Sequence, residues 1–275
     1  MKTLLSALLV SMMLPALPAA AQDTPSMTQV LADERRVQDA PRDRYRHPAQ
    51  TLRFFQVEPG MSVVDFMPSP GWYSRVLIPY LGPQGTYIGL NPRVAPDATG
   101  FLATLRDFAT TLPRDAAGWM GQAPGARVIG ANLGTVPAEL DGTVDRLLIF
   151  REMHNVRRND WTHQLLSTAR RLLKDDGMIG IVQHRAKADA PAAYTQGDNG
   201  YLRQQDVIAL LDSYGFDLVA ESEVNANPRD TADWEGGVWT LPPSYRGAGE
   251  DAAKRAELDA IGESDRMTLL FRKRA

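Results

Sequence analysis

One stretch, SVVDFMPSPGWYSRVL at residues 62–77, has the pattern of a site for a nucleotide-type cofactor. An acid, Asp65, stands at the end of an apolar run, and a tight turn and a helix start follow it. In an open parallel sheet this junction is where a cofactor meets the chain. The turn contains one glycine, Gly71, although close approach of a cofactor to the backbone usually requires several. The stretch therefore predicts either a working cofactor site formed by unusual residues or the altered remnant of such a site.

Polar residues also follow the other apolar runs, and parallel strands would bring them to one edge of a sheet. These residues are Asn91, Asn132, His154, Asn155 and His184. His154 is the candidate catalytic residue, because an imidazole titrates near neutral pH and can act as a general base. The alternative for each is a hydrogen-bonded residue that ends a strand and has no role in chemistry. No His-x-x-x-His pattern accompanies the two histidines, so we expect no metal site.

The alternation of short apolar runs and amphipathic stretches indicates the elements that would position these residues. The predicted strands are 62–67, 86–90, 126–131, 145–150 and 178–184. The predicted helices are 71–81, about 98–110, 160–174 and 203–215. Continuous apolar strands that alternate with helices are typical of a parallel sheet covered on both faces. We therefore predict a doubly wound α/β fold.

Two further strands, 216–224 and 266–274, are predicted at the end of the chain, and we expect them to form an antiparallel hairpin at the sheet edge. The long segment between them, 225–264, contains Trp239 and Tyr245 but little helical or strand periodicity. It is predicted either as a surface loop or as a lid over the site, because long loops with aromatic residues are often functional.

The first 21 residues have the features of a secretory signal peptide. Lys2 precedes a short apolar run, and the alanines at 19–21 form a small-residue cleavage site. Cleavage after Ala21 would place the mature protein in the periplasm or outside the cell, without stable insertion in a membrane. We predict residues 22–58 as a helical extension and residues 59–275 as the α/β domain.

The composition of the 275-residue chain narrows the classes of partner and chemistry. Its formal net charge is −3, and its arginines are dispersed among acids, so we expect no nucleic-acid partner. It has no cysteine, which excludes a thiol nucleophile and thiolate metal sites. It also lacks a G-x-S-x-G elbow and a G-x-x-x-x-G-K-[ST] loop, which argues against an α/β-hydrolase and a P-loop protein. Nothing in the sequence predicts the oligomeric state.

The order of elements resembles that of the class I S-adenosylmethionine-dependent methyltransferases. EPGMSVVDFMPSPGWYSRVL is similar to their first motif, and LKDDGMIGIVQH is similar to their late turn and fifth strand. The chain is most similar to an exported group within them, whose members have a signal peptide and counterparts of RDRYRHP, DFMPSPGW and ESEVNANPRD. The resemblance covers about residues 30–275 and implies a seven-stranded, mostly parallel sheet.

The resemblance also implies a cofactor, S-adenosylmethionine, and the residues around it. Those expected to hold the cofactor are Asp65, Met67, Pro68, Gly71, Trp72, Tyr73, Asn91 and Asn132. His154 would face the transferable methyl group. The residues expected on the side of the methyl acceptor, an unidentified small molecule, are Asn155, His184, Trp239 and Tyr245.

Ser69 and Pro70 depart from the paired glycines of the exported group. Pro70 lacks a backbone donor and pushes Ser69 toward an extended conformation, which would stiffen the turn. The competing hypothesis is therefore a non-catalytic or repurposed methyltransferase fold that acts as a binding protein of the periplasm.

Overall fold

The computed structural model of this chain describes residues 24–68 and 70–274. The predicted signal peptide and Ser69 lie outside the described residues. Within the two ranges, no helix combines the length and the apolar character needed to cross a membrane.

The strands of the described residues form one seven-stranded sheet. They are β1 Ser62–Phe66, β2 Thr86–Asn91, β3 Arg127–Asn132, β4 Val144–Phe150, β5 Leu173–His184, β6 Phe216–Ser222 and β7 Arg266–Lys273. Their order across the sheet is β3-β2-β1-β4-β5-β7-β6. The first five strands pair in parallel, whereas β7 pairs antiparallel with both β5 and β6. The predicted α/β fold class is confirmed, including the antiparallel C-terminal hairpin at the sheet edge.

Helices flank this sheet and differ in places from those predicted. They are α1 Met27–Leu31, α2 Asp43–Arg46, α3 Pro48–Phe54, α4 Ser74–Leu81, α5 Gly100–Thr104, α6 Phe108–Met120, α7 Met153–Arg158, α8 Thr162–Leu172, α9 Gln204–Ser213 and α10 Ala252–Ile261. The predicted helix at 98–110 is instead two helices, α5 and α6. The second runs on through Pro113, because Leu112 and Ala116 pack into the core beneath the sheet.

Both faces of the sheet are covered, because successive residues of a strand point to opposite sides. On one side, Val64 and Phe66 of β1 belong to a core that includes α8 and α9. On the other side, Val63 packs in a second core with Leu77 of α4 and with the N-terminal helices. Asp65 shares the side of Val63, so a carboxyl group is placed inside the second apolar layer.

The N-terminal residues pack against the turn that follows β1. The carboxylate of Asp39 pairs with Arg75 of α4, at 2.5 Å to Nε and 2.8 Å to Nη2. The backbone carbonyl of Asp39 also accepts a hydrogen bond from the Trp72 indole at 3.1 Å. This docking brings Arg42 and Arg46, both from the RDRYRHP motif, to the carboxyl ends of the central strands.

The long segment before β7 is held by side-chain hydrogen bonds and ends in α10, which the weak periodicity of the sequence did not predict. Asp230, from the ESEVNANPRD motif, accepts hydrogen bonds from the Tyr201 hydroxyl and from the backbone N–H of Asp265. The amide of Asn227 donates to the carbonyl oxygen of Glu263 at 2.6 Å. The motif therefore fixes the loop that presents Glu263 at the carboxyl edge of the sheet.

Candidate functional site

Two cavities lie at the carboxyl ends of the central strands. The larger, called here the wide cavity, has a volume of about 550 Å³. Its walls come from the residues after β4 and β5, from the RDRYRHP motif and from the long segment before β7. Its lining includes Arg42, Arg151, Glu152, His154, His184 and Trp239.

The smaller cavity, called here the narrow cavity, follows the turn after β1. Its lining includes Arg46, Asp65, Met67, Pro68, Trp72 and Tyr73. Five predicted cofactor residues are thus brought together at one place. The volume of the narrow cavity is about 20 Å³, which is the room that a single water molecule needs.

The turn itself contains two residues in the left-handed region. Met67 has a φ of +52° and Gly71 a φ of +87°. A Cβ atom on Gly71 would lie 2.6 Å from the Trp119 ring of α6. Gly71 therefore permits close packing of the turn against α6, and it does not line either cavity.

Replacing Gly71 by alanine is expected to lower the free energy of unfolding by about 1–3 kcal/mol, through the left-handed backbone and the overlap with the Trp119 ring. Urea denaturation measures this loss. Gly118→Ala is the matched control, since a Cβ atom there meets nothing within 4 Å, and helix propensity predicts equal or greater stability. Equal stabilities of Gly71→Ala and the wild type would contradict this account of the turn.

Asp65 is a buried carboxyl group with half of its hydrogen-bonding capacity unused. Its Oδ2 accepts a hydrogen bond from the Tyr87 hydroxyl at 2.9 Å, and that hydroxyl lies 2.7 Å from Ser74 Oγ. Its Oδ1 has no partner among the described residues. Burial raises the pKa of Asp65 to about 7, although the bond from Tyr87 lowers it. Asp65 can therefore change its charge when a polar ligand arrives.

Asn91 ends β2 and is completely buried, yet neither its amide nitrogen nor its amide oxygen has a partner within the described ranges. It is paired in register with Asn132, the last residue of β3, whose Oδ1 likewise has no partner in residues 24–68 and 70–274. An unpaired buried amide costs about 1–3 kcal/mol for each lost group. The two asparagines thus form a polar end to β2 and β3 that the chain itself does not satisfy.

Trp72 and Tyr73 border the narrow cavity but use their polar atoms within the protein. The Trp72 ring lies under the guanidinium group of Arg46, 4.6 Å from its centroid. Tyr73 stacks on Phe150 with ring centroids 3.4 Å apart, and burial raises its pKa to about 12. Both aromatic residues form a wall of the cavity.

His154 and His184 are adjacent in the wide cavity, with ring centroids 5.7 Å apart, and Trp239 packs edge-on against His154. Nδ1 of His184 lies 2.6 Å from the Ser264 hydroxyl, whereas Nδ1 of His154 has no hydrogen-bond partner among the described residues. Burial, assisted by the charge of Arg158, lowers the pKa of His154 to about 3. Burial also lowers the pKa of His184 well below its ordinary value. Both rings are therefore neutral at pH 7.

The low pKa of His154 predicts a loss of stability in acid. The unfolded chain binds a proton below about pH 6.5, whereas the folded chain does not until about pH 3, so stability falls as the pH drops through this window. Between pH 7.5 and pH 5 the loss from this group is on the order of 2 kcal/mol. Denaturant titrations of the wild type and His154→Asn at both pH values measure it. The raised pKa values of Asp65 and Glu152 increase stability as the pH falls. This effect is the same in both proteins, so it cancels when their free energies of unfolding are subtracted. If the difference in the free energy of unfolding between the two proteins were the same at both pH values, a neutral His154 would be contradicted.

Glu152 is a candidate functional residue that the sequence analysis did not select, although it stands two residues after the end of β4, in REMHN. It lines the wide cavity, and its carboxylate accepts a hydrogen bond from the Asn155 amide at 2.5 Å. Burial raises the pKa of Glu152 to about 7, against the opposing effects of Asn155 and Arg151. Such a pKa suits a general base at neutral pH better than that of His154 does. An acid next to the end of a central strand was the available signal.

Tyr245 is the predicted acceptor-side residue that the structure does not bring to a cavity. Its hydroxyl donates to Asp259 of α10 at 2.5 Å, and its ring packs with Leu241 and Leu258. The helix that holds it there was not predicted. Trp239, Asn155 and the two histidines do meet in the wide cavity.

No three His, Asp or Glu side chains within residues 24–68 and 70–274 are grouped so as to hold a metal ion.

Comparison with known proteins supports the fold but shows no membership in a protein family. No protein-family model matches the chain, and no curated protein matches it. The structure is similar to a protein of Galdieria sulphuraria named as a candidate sarcosine dimethylglycine methyltransferase, with a TM-score of 0.52 and 14% identity over 86% of this chain and 88% of that one. It is also similar to a chain from the complex of the Haloferax volcanii Trm112 methyltransferase activator with a candidate methyltransferase, with a TM-score of 0.51 and 14% identity over 90% and 98%. The chain therefore has the Rossmann-like fold of the class I methyltransferases.

The polar groups at the strand ends fit a nucleoside-type cofactor such as S-adenosylmethionine. Asn91 offers a free donor and a free acceptor, and Asp65 and Asn132 each offer a free acceptor. Ribose hydroxyls both donate and accept hydrogen bonds, so they match this set. The narrow cavity, in contrast, is too small for the amino-acid end of the cofactor, and binding requires its walls to move apart.

Proposed function

We propose that this protein is an S-adenosylmethionine-dependent methyltransferase that acts on a small-molecule acceptor. One observation carries the proposal: the buried polar atoms at the ends of β1, β2 and β3 have no partner in the described chain, at the edge of the sheet where ligands of this fold class bind. Buried polar groups in stable proteins are almost always hydrogen-bonded to protein, water or a ligand, so a group of unpaired ones at this edge favours a bound polar ligand.

The residues divide into two sets along the sheet edge. Asn91, Asn132 and Asp65 would hold the nucleoside part of the cofactor, and Met67, Pro68, Trp72 and Tyr73 would enclose the rest, with Gly71 supporting the turn. When bound, S-adenosylmethionine supplies an electrophilic methyl group. The chain's own contribution would be to orient the acceptor in the wide cavity and to exclude water from it.

Glu152 and His154 are the groups placed to receive a proton from the acceptor. Both line the wide cavity, and Asn155 fixes the orientation of the Glu152 carboxylate. With a pKa of about 7, Glu152 is the stronger base of the two at neutral pH. We assign the base role to Glu152 and a hydrogen-bonding role toward the acceptor to His154, the candidate base of the sequence analysis.

We also propose that the protein is exported and acts in the periplasm or outside the cell, on the basis of its N-terminal 21 residues. Protease accessibility of the protein in intact cells, compared with that after lysis, tests this placement.

Calorimetric titration of the purified protein with S-adenosylhomocysteine tests the cofactor. We expect binding in the micromolar range and at least a tenfold loss in Asp65→Asn, which removes a charge-dependent acceptor. Asp176→Asn, an exposed acid on β5, is the control and should bind as the wild type does. Absence of binding in a folded sample would exclude the methyltransferase proposal.

A binding protein built on the same fold is the second candidate, and the narrow cavity favours it. A space of about 20 Å³ beside the turn does not admit a methionine chain. Under this alternative the wide cavity would be the only ligand site of the two. The same titration decides between them, because only the methyltransferase needs the nucleoside ligand.

A further inference from the structure

Building on the methyl transfer proposed above, we propose that the wide cavity takes an acceptor that carries an oxyanion, a carboxylate or a phosphate, and anchors it on Arg42 and Arg151, with Arg46 beside them at the narrow cavity. The anionic group would serve as the anchor, separate from the atom that receives the methyl group.

The first observation is an excess of buried positive charge around one carboxylate. Glu263 pairs with Arg42 at 2.7 Å, with Arg46 at 3.2 Å and with Arg266 at 3.2 Å. Arg46 and Arg266 are 1% and 2% exposed. One carboxylate cannot neutralise three guanidinium groups, and a buried charge without compensation is costly.

The second observation is that several guanidinium nitrogens in this cluster are buried without an acceptor in the part of the chain that the structure describes. They are Nη2 of Arg42, both Nη atoms of Arg46 and Nε of Arg151. An oxyanion matches such sets of N–H donors, because guanidinium groups bind carboxylate and phosphate through parallel hydrogen bonds. Burial is the main cause, and the positive charge of Arg151 the next, of a pKa of Arg46 well below its ordinary value. A bound anion would offset the repulsion between Arg46 and Arg151.

The third observation concerns Arg151, which lines both cavities. Its side chain has neither a hydrogen bond nor an ion pair with any described residue, and its backbone is left-handed, with a φ of +64°. Its backbone N–H is held by the Val182 carbonyl at 2.6 Å. A non-glycine residue in this conformation costs on the order of 1 kcal/mol. A charged side chain held there without a protein partner is available for a ligand.

Two further cations line the same wide cavity. Arg158 and Arg246 both line the wide cavity, and both lie over the Trp239 ring, at 6.0 and 4.6 Å from its centroid. The acids of the same lining are Glu152, Asp198 and Glu263. Glu263 is already paired with arginines, and the four arginines of the lining, Arg42, Arg151, Arg158 and Arg246, outnumber its three acids. The cavity therefore presents a positive field to an entering ligand.

Succinate and inorganic phosphate are the probes for this site, titrated by calorimetry into the full protein without cofactor. We expect the wild type to bind at least one of them and to gain thermal stability from it. Arg151→Gln, which breaks no ion pair of the described chain, should weaken binding at least tenfold and remove the stability gain. Arg114→Gln is the control, because Arg114 is an exposed residue of α6 that pairs only with Asp115. Failure of the wild type to bind either probe, or equal binding by Arg151→Gln, would overturn the proposal.

A second titration identifies which molecule the anchor serves, since the cofactor has a carboxylate of its own. S-adenosylhomocysteine has this group and methylthioadenosine lacks it. Succinate binding that persists with saturating S-adenosylhomocysteine supports an acceptor site. Displacement of succinate by S-adenosylhomocysteine but not by methylthioadenosine overturns it in favour of the cofactor's own carboxylate. Because the anion titration is made without cofactor, its failure can be told apart from failure of the methyltransferase proposal.

Discussion

Glu263→Gln is expected to lower the free energy of unfolding by about 4 kcal/mol, because it removes the only carboxylate in the described structure that contacts three guanidinium groups, two of them on the buried side chains of Arg46 and Arg266. Glutamine keeps the size and one acceptor oxygen, so the loss reports charge and not packing. Urea denaturation at pH 7 measures it. Glu263→Asp, which keeps the charge on a shorter side chain, should lose less.

The pH dependence of the same residue gives an independent measurement. Burial opposes ionisation of Glu263, but the charges of Arg266, Arg46, Arg151 and Arg42 outweigh it and lower its pKa to about 2. The ionised form is therefore favoured by folding, and its contribution is fully present above about pH 4.5 and disappears as the pH falls toward 2. The stability gap between wild type and Glu263→Gln should narrow over that range.

Glu257→Gln is the control for this substitution, since Glu257 is an exposed acid of α10 and its replacement should change stability by less than about 0.5 kcal/mol. If Glu257→Gln and Glu263→Gln lowered the free energy of unfolding by similar amounts, the proposed role of Glu263 in neutralising the arginines would be refuted. Addition of succinate should stabilise Glu263→Gln more than the wild type, because the variant leaves more positive charge uncompensated.

Asn91→Leu is expected to increase stability and reduce cofactor binding at the same time. Leucine has the same number and branching of heavy atoms as asparagine, and it removes two buried polar groups that have no partner in the described chain. The gain in the free energy of unfolding should be about 1–3 kcal/mol. Under the proposed function, the affinity for S-adenosylhomocysteine should fall at least tenfold, since two hydrogen bonds to the nucleoside are lost.

Asn225→Leu is the matched control, because Asn225 is 2% exposed and its Oδ1 also has no partner in the described chain, but its amide nitrogen donates to Thr51 and Thr268, both at 3.0 Å. That variant should lose stability by about 1–3 kcal/mol, because it removes both hydrogen bonds that the Asn225 amide nitrogen donates. A gain of stability in Asn91→Leu together with a loss in Asn225→Leu would show that the Asn91 amide serves a ligand and not the fold. A loss of stability in Asn91→Leu of the size seen in Asn225→Leu would instead indicate a structural role.

The fold could be predicted from the sequence because its information is local. The strands β1 and β4 are continuous apolar runs, and a strand of that kind must be covered on both faces. The helices α4, α8 and α9 show the amphipathic period that covers such a sheet. The break between α5 and α6 and the existence of α10 were not predictable in this way, because the packing of Leu112 and the hydrogen bonds of the final segment are decided by distant residues.

The sequence by itself therefore determined the order of the elements, the fold class and the edge of the sheet at which the polar residues collect. Only the tertiary structure decided which of them meet. Arg42 and Glu263 are separated by 221 positions, and only the docking of the N-terminal residues and the final segment at one sheet edge joins them. Burial, likewise, is a property of the assembled molecule. It raises the pKa of Asp65 and Glu152 and lowers that of His154, and thereby moves the expected base from the histidine to the acid beside it.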